Sequence, residues 1–265
     1  MHRKLFLLFC AALFINTGIH AQPGTWRQVG QSGAWANTVL VASSGGTLYS
    51  IEKSGSLYQT NASTGVFSKI GTQSYANTTL LLGGDKNIFS IEKDGSLYRT
   101  IPGTAAWIRI GDKGAWANTI AGAVMSGYIY TVEASGKLFY TNASTGAWKQ
   151  IGKAEFNNTR FLYAANGSLY SIEKDGSLYA ISTNDGTWIR IGTAGAWKNT
   201  MAGAVMNDKL YTVEPGGALY ETDLSTGNWH QIGKSDYANT QFIFGGLGKI
   251  YTIEKSGTLY EINVN

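Results

Sequence analysis

A unit of 40 or 41 residues recurs six times along this chain and constrains its fold more than any other feature. Each copy places an aromatic residue at the same position, namely Trp26, Phe67, Trp107, Trp148, Trp188 and Trp229. An Asn followed by Thr recurs as Asn37, Asn77, Asn118, Asn158, Asn199 and Asn239. A Glu recurs as Glu52, Glu92, Glu133, Glu173, Glu214 and Glu254. The copies are numbered 1 to 6 in this order. Self-similarity at a fixed period of this length is typical of solenoids and propellers.

Short segments of strand-forming residues decide between those architectures. Residues 47–52 are rich in Tyr, Ile and Thr and are bounded by Gly and Ser, as are their counterparts in the other copies. After residue 21, no window has apolar residues at helical spacing. Four strands of roughly five residues, with their turns, account for a unit of about 40 residues. The sequence therefore predicts an all-β protein, a six-bladed β-propeller with four strands in each blade.

The two ends of the chain predict how the ring closes. The first repeated element is the segment with Trp26, whereas the last copy ends at residues 259–262 without such a segment. An N-terminal strand can supply the missing outer strand of the sixth blade, which leaves no open edge in the ring. Residues 22–265 are therefore predicted to form one domain.

A second period of 81 residues is superimposed on the first. The residue two positions before each repeated Asn alternates between Trp in odd copies and a smaller aromatic ring in even copies. These loop aromatics are Trp35, Tyr75, Trp116, Phe156, Trp197 and Tyr237. The alternation predicts pseudo-threefold symmetry by blade pairs.

Residues 1–21 have the features of a cleaved secretory signal peptide. A basic start with Arg3 and Lys4 precedes an apolar run over residues 5–15, and small residues follow at 18–21. The run is too short to span a bilayer. The protein is therefore predicted to be secreted or periplasmic, and loss of Arg3 and Lys4 lowers its formal net charge from +4 to +2.

The composition after residue 21 excludes several classes of function. There is no Cys, and His230 is the only His, so no zinc site, disulfide or Cys nucleophile is expected. The small net charge argues against a nucleic-acid partner, and no apolar run approaches the roughly 18 residues of a membrane span. Six Glu made equivalent by repetition do not resemble the two distinct carboxylates of a glycosidase. We therefore expect no enzymatic activity, no metal and no cofactor.

Topology brings the remaining candidate residues to one face of the ring. In an up-and-down blade, the loop before the inner strand and the turn between the second and third strands emerge on the same face. A pyranose stacks its C–H face on an aromatic ring and pairs its hydroxyls with amides and carboxylates. The predicted carbohydrate site combines the six loop aromatics with Asn37, Asn118, Asn199, Glu52, Glu133 and Glu214.

Structural roles compete with this interpretation. The loop aromatics could pack between blades, and the recurring Asn and Glu could hydrogen-bond backbone at strand ends. The Trp of the outer strand is predicted to pack between neighbouring blades. His230 shares that strand and is expected to face solvent.

The repeat resembles that of the tectonin family. The resemblance rests on Trp26 to Gly30, then Leu48 to Glu52, then Gly55 to Tyr58, and it extends over roughly residues 24–262. Tectonins are β-propeller lectins, so the resemblance implies a secreted, multivalent lectin for glycans such as cell-surface or bacterial polysaccharide. The alternative is an extracytoplasmic propeller that acts as a scaffold for a protein partner.

Overall fold

The computed structural model describes residues 22–264, so the predicted signal peptide at residues 1–21 lies outside the described residues. Within that range the regular structure consists of strands alone. In chain order these are β1 (Trp26–Val29), β2 (Thr38–Ser44), β3 (Thr47–Glu52), β4 (Leu57–Thr60), β5 (Phe67–Ile70), β6 (Thr78–Gly84), β7 (Asn87–Glu92), β8 (Leu97–Ile101), β9 (Ala106–Ile110), β10 (Thr119–Met125), β11 (Tyr128–Glu133) and β12 (Leu138–Asn142). They continue as β13 (Trp148–Ile151), β14 (Thr159–Ala165), β15 (Ser168–Glu173), β16 (Leu178–Ser182), β17 (Trp188–Ile191), β18 (Ala202–Met206), β19 (Lys209–Val213), β20 (Leu219–Asp223), β21 (Trp229–Ile232), β22 (Thr240–Gly246), β23 (Lys249–Glu254) and β24 (Leu259–Ile262).

These strands form six antiparallel sheets of four, one for each copy of the repeat. The first blade is β2-β3-β4-β5, and the next four blades follow the same order from inner to outer strand. Five of the six inner strands begin at the Thr of an Asn-Thr pair. The predicted six-bladed propeller with four-stranded blades is therefore confirmed.

The ring closes through the N-terminal strand, as predicted. Strand β1 pairs antiparallel with β24, from Trp26 opposite Ile262 to Val29 opposite Leu259. An ion pair of 2.7 Å between Arg27 and Glu261 spans the same junction. The sixth blade is thus β22-β23-β24-β1, and the two ends of the chain share one sheet.

The second strand of each blade lies at the centre of the hydrophobic core. In β3 the four residues from Leu48 to Ile51 are all buried, and β7, β11, β15, β19 and β23 show the same run. Such a strand is covered on both faces because a neighbouring blade packs against each side of its sheet. This explains why these strands read as nearly continuous apolar runs rather than as alternating ones.

Backbone hydrogen bonds on one face tie each blade to the preceding one. The amide of Tyr75 donates to the carbonyl of Gly55 at 2.8 Å. The loop aromatics of all five remaining blades make the equivalent bond. Gly55 has a φ of +78°, and a Cβ there would lie 2.7 Å from the amide nitrogen of Ala76. A glycine is therefore required where the loop meets the turn. We call this side of the ring the loop face.

Two classes of feature are not found between residues 22 and 264. No helix in this range could cross a membrane. Over the same residues, no group of three or more His, Cys, Asp or Glu side chains is placed to hold a metal ion.

Candidate functional site

The loop aromatics lie in the protein interior rather than on the loop face. All six are buried, with exposed fractions of 1% to 5%. The expectation that the loop face displays Trp35, Tyr75, Trp116, Phe156, Trp197 and Tyr237 is therefore corrected. Their rings are covered because the loop that carries them is tied down onto the preceding blade. A role for them in carbohydrate binding stays a prediction.

The polar atoms of three of these rings have hydrogen-bond partners inside the protein. The hydroxyl of Tyr75 bonds the hydroxyl of Thr100 at 2.8 Å, and the indole N–H of Trp197 donates to Thr222 Oγ1 at 3.2 Å. Phe156 has no polar atom, and the corresponding third-strand residue of its blade is Ile181, which belongs to the same hydrophobic cluster. In these three blades the third-strand residue matches the ring above it, whereas the hydroxyl of Tyr237 in blade 6 donates to the carbonyl of Gly24 at 2.7 Å.

Four of the five outer-strand Trp are exposed, contrary to the predicted packing between blades, whereas Trp107 is half-buried and packs against the core cluster between blades 1 and 2. Trp26, Trp148, Trp188 and Trp229 expose 45% to 60% of their surface. The outer strand is the free edge of each sheet, so its first residue has protein on one side only. Each indole leans edge-on against an aromatic of the third strand, as Trp188 does on Tyr179 at 4.9 Å between ring centroids. His230, on the same kind of strand, is exposed as predicted.

The recurring Asn side chains point to solvent. All six are exposed, and none makes a side-chain hydrogen bond with a residue in the range 22–264. The backbone carbonyl of Asn37 accepts from the amide of Lys53 at 2.8 Å, and the same bond recurs at Asn77, Asn118, Asn158 and Asn239. Asn37, Asn118 and Asn199 therefore keep their amides free on the loop face.

The recurring Glu is bonded to the Thr that follows the recurring Asn. The hydroxyl of Thr38 donates to Glu52 Oε1 at 2.7 Å, and the same bond forms in blades 2, 4 and 6. In blade 3, Glu133 instead accepts from the hydroxyl of Ser135 at 3.1 Å. The Asn-Thr and Glu elements of the repeat are therefore hydrogen-bonded to each other in blades 1, 2, 4 and 6.

The six Glu are equivalent in sequence but not in environment. Burial raises the pKa of Glu92, Glu173 and Glu254, which belong to blades 2, 4 and 6. Glu92 and Glu173 are buried, whereas Glu52, Glu133, Glu214 and Glu254 are half-buried. Carboxylates at the same repeat position therefore differ in burial from blade to blade.

A pocket of the same construction lies on blades 3, 4, 5 and 6. Its wall combines the outer-strand Trp, the third-strand aromatic, the recurring Glu and the loop aromatic. The cavity volume is about 400 Å³ on blade 4 and about 420 Å³ on blade 6. On blades 3 and 5 it is only about 50 and 90 Å³. Small-molecule pockets usually have about 300–1,000 Å³, so two of the four are large enough.

The two large pockets are lined by equivalent residues. The blade 4 pocket is lined by Glu155, Phe156, Asn158, Ser171, Glu173, Lys174, Asp175, Tyr179 and Trp188. The blade 6 pocket is lined by Asp236, Tyr237, Asn239, Thr252, Glu254, Lys255, Ser256, Tyr260 and Trp26. The small pockets contain the bulkier Trp116 or Trp197 in place of Phe156 or Tyr237. Because Trp26 comes from β1, the blade 6 pocket uses both ends of the chain.

Several lining residues were not among the predicted site residues. The acid just before the loop aromatic, Glu155 or Asp236, occurs in blades 4 and 6 only, whereas the other copies have Ala or Ser there. The indole N–H of Trp188 donates to Glu155 Oε2 at 3.0 Å. This departure from the repeat is visible in the sequence, and it would have singled out the two blades with large pockets.

A further cavity of about 580 Å³ lies on the opposite face, beside blade 1. Its lining consists of turn residues such as Gly45, Asn61 and Ser63, together with Leu247. It contains neither a carboxylate nor an aromatic ring. Carboxylates and aromatic rings therefore line the loop-face pockets but not this cavity.

Comparison with solved structures supports the fold. A structural genomics protein of unknown function from Bacteroides thetaiotaomicron VPI-5482 has a TM-score of 0.67 and 14% identity, over 92% of this chain and 76% of that one. Virginiamycin B lyase from Staphylococcus aureus has a TM-score of 0.58 and 14% identity, over 87% and 81%. The Pan2 WD40 domain from Neurospora crassa has a TM-score of 0.58 and 11% identity, over 89% and 94%. At these identities the likeness shows the fold alone.

Sequence comparison identifies the family. None of the curated proteins matches this chain. Residues 93–264, more than half of the chain, match the model of the PQQ_2 family, described as outer membrane protein assembly factor BamB. The resemblance to tectonins and the lectin function that it implies stay predictions. The chain belongs to the PQQ_2 family of β-propeller proteins.

Proposed function

We propose that this protein is an extracytoplasmic scaffold that binds a protein partner through the rim of its propeller. The observation that carries the proposal is the set of half-exposed indoles on the outer strands. Trp is enriched in protein interfaces, where a large rigid ring supplies contact area at little cost in entropy. The family description, an outer membrane protein assembly factor, supports the same function.

The rim offers backbone as well as side chains. Each outer strand is the last of its sheet and pairs on one side only. Large apolar residues accompany the indoles there, including Phe67, Ile108 and Ile189, which is 70% exposed. Exposed sheet edges accept strands from partner proteins, and neighbouring apolar side chains then provide specificity. The scaffold is proposed to have no catalytic activity of its own.

Photo-crosslinking in the source organism tests the scaffold. A photoreactive phenylalanine analogue replaces Trp148 on the rim, and in a matched variant it replaces Leu247, which is equally exposed on the opposite face. We expect a discrete adduct with one protein partner from position 148 only, unaffected by free sugars. Equal labelling from both positions, or none, would contradict the proposal.

Carbohydrate binding is the second candidate function. The observation in its favour is the combination of an exposed indole, an amide and a carboxylate in the blade 4 and blade 6 pockets. A sugar would stack on Trp188 or Trp26 rather than on the loop aromatics, since those rings are buried. Two sites on one rigid ring would bind a polysaccharide multivalently.

A broad glycan array with the purified full chain tests this candidate. We expect binding that is lost when Trp26→Ala and Trp188→Ala are combined and kept when Trp148→Ala and Trp229→Ala are combined. The second pair is a matched control because these residues border the two small pockets. An array without any signal would exclude carbohydrate binding.

A further inference from the structure

The two large pockets concentrate negative charge on a basic chain. Each has one carboxylate from the loop, Glu155 or Asp236, and one from the second strand, Glu173 or Glu254. None of the four forms an ion pair with another residue between 22 and 264. Without the predicted signal peptide the chain has a formal net charge of +2. Each lining also contains one lysine, Lys174 or Lys255, so carboxylates outnumber ammonium groups in both pockets.

The lysine of the blade 4 pocket offsets only part of this negative charge. The ammonium group of Lys174 donates to the backbone carbonyl of Asn157 at 3.3 Å and is exposed. Asp175, the next residue, is exposed as well and adds a further negative charge to the lining. The lining therefore holds three carboxylates and one ammonium group.

The inner carboxylate is buried with one oxygen unused. Glu173 is only 9% exposed, and its Oε1 accepts from the hydroxyls of Thr159 at 2.9 Å and Ser171 at 2.7 Å. Its Oε2 accepts no hydrogen bond from the residues that the structure describes, although the side chain lines the pocket. Because solvent reaches Oε2 from the pocket, a cation there would pair with this oxygen directly.

The outer part of the pocket is an aromatic wall joined to the second carboxylate. The indole N–H of Trp188 fixes Glu155 beside the ring, and Tyr179 packs edge-on against the same indole. An indole face next to a carboxylate attracts ammonium and guanidinium groups. Such a cation interacts favourably with the ring quadrupole and with the negative charge of the carboxylate. A neutral sugar would hydrogen-bond these carboxylates but would leave their charges without a counterion.

Blade 2 lacks two features of the blade 4 pocket, namely the loop acid and the edge-on arrangement of the outer-strand Trp. It keeps Glu92 but has Ser74 in place of the loop acid. Its Trp107 lies flat on Tyr98 at 4.0 Å, with an angle of 24° between the rings, instead of standing edge-on. The cation-binding combination is therefore confined to blades 4 and 6.

From these contacts we infer that the blade 4 and blade 6 pockets each bind a cationic side chain, Arg or Lys, of the partner protein. The inference rests on the proposed scaffold function and names the chemistry of its partner. A partner segment with two basic residues would engage both pockets of one ring, which raises its affinity above that of either contact.

A peptide titration followed by NMR tests the inference on the full chain. The probe is acetyl-Gly-Arg-Gly-amide, and its control is the same peptide with citrulline, the uncharged isostere of arginine. The readout is the indole N–H resonances, assigned with Trp26→Phe and Trp188→Phe. We expect the Arg peptide to shift the resonances of Trp26 and Trp188 and to leave those of Trp148 and Trp229 in place. The citrulline peptide should shift none.

Charge-removing variants assign each response to its pocket. Glu173→Gln should weaken the Trp188 response by at least about tenfold, as the loss of one charge pair predicts, and should leave the Trp26 response unchanged. Glu254→Gln should weaken the Trp26 response and leave the Trp188 response unchanged. Glu214→Gln, in the small blade 5 pocket, is the matched control and should change neither. If Glu173→Gln fails to fold, the exposed Glu155→Gln takes its place.

The possible outcomes separate this inference from the function on which it rests. Equal shifts from the citrulline peptide, or shifts from methyl N-acetylglucosaminide but not from the Arg peptide, would overturn the cation site. A crosslinked partner whose affinity is unchanged in the Glu173→Gln and Glu254→Gln double variant would overturn it too, while the scaffold function stands. Binding of the Arg peptide without any crosslinked partner would overturn the scaffold function.

Discussion

The blade 4 and blade 5 pockets occupy the same place in two successive blades, yet one is about 400 Å³ and the other about 90 Å³. Both have an outer-strand Trp, a third-strand Tyr and the recurring Glu. They differ at the loop, where blade 4 has Glu155 and Phe156 and blade 5 has Ala196 and Trp197. A buried ring and its neighbour thus decide whether a repeat carries a site. In a repeat protein, function can be confined to selected copies while the fold stays uniform.

Removal of the buried ring should have the largest effect. Trp197→Ala is expected to destabilise the fold by about 3–5 kcal/mol, because it leaves a cavity at a residue that is only 3% exposed. Trp229→Ala in the same blade should cost only about 0.5–1.5 kcal/mol, the value of one exposed aromatic pair. Urea denaturation of the two variants gives this difference. Equal losses would contradict the assignment of the loop ring to the core and the outer indole to the surface.

Closing the large pocket is the next test. Phe156→Trp should fill the blade 4 pocket at a cost of about 1–3 kcal/mol, since Ile181 already packs in the same cluster. The Trp188 response to the Arg peptide should disappear, whereas the Trp26 response on blade 6 should persist. NMR titration of the variant measures both in one sample. An unchanged Trp188 response would show that the loop ring does not control access.

Opening a small pocket is the reciprocal and weaker test. The double change Ala196→Glu and Trp197→Phe gives blade 5 the loop residues of blade 4. We expect a new response of Trp229 to the Arg peptide, with lower affinity than at Trp188, because Pro215 and Thr222 still differ from the blade 4 residues Lys174 and Ile181. Trp197→Phe alone is the control and should enlarge the pocket without creating the response. Binding by the control would make the loop acid dispensable.

The smallest expected effect is on the pH dependence of stability. Burial raises the pKa of Glu173, so ionisation of this group is less favourable in the folded than in the unfolded state. Its protonated form stabilises the fold below the unfolded pKa of about 4.3, and this contribution is lost as pH rises through the folded pKa. Glu173→Gln should therefore gain Tm relative to the wild type between pH 4 and pH 7. Parallel Tm curves would contradict the raised pKa, and the exposed Glu155→Gln serves as the comparison.

Sequence periodicity predicted the propeller fold because the number and order of its strands depend on local sequence patterns. Alternating turns and strand-forming segments fix the number of strands, and the segment with Trp26 at one end matches the one missing at the other. The roles of the aromatic residues were predicted in reverse. The loop rings were expected at the surface, with packing between blades as the alternative, and are buried. Trp26, Trp148, Trp188 and Trp229 were expected in the core and are exposed. Residue type and polar neighbours do not reveal which ring a neighbouring blade covers.

The sequence by itself determined the number of blades, their strand count, the closure of the ring and the alternation in pairs, because each follows from a repeated pattern along the chain. The acids at 155 and 236 are also visible there as departures from that pattern. Only the tertiary structure decided that these acids lie beside Trp188 and Trp26, and that two of four equivalent pockets are open. The physical reason is that cavity volume depends on how side chains from three strands and a loop fill the space between blades. Residues distant in sequence set that volume together.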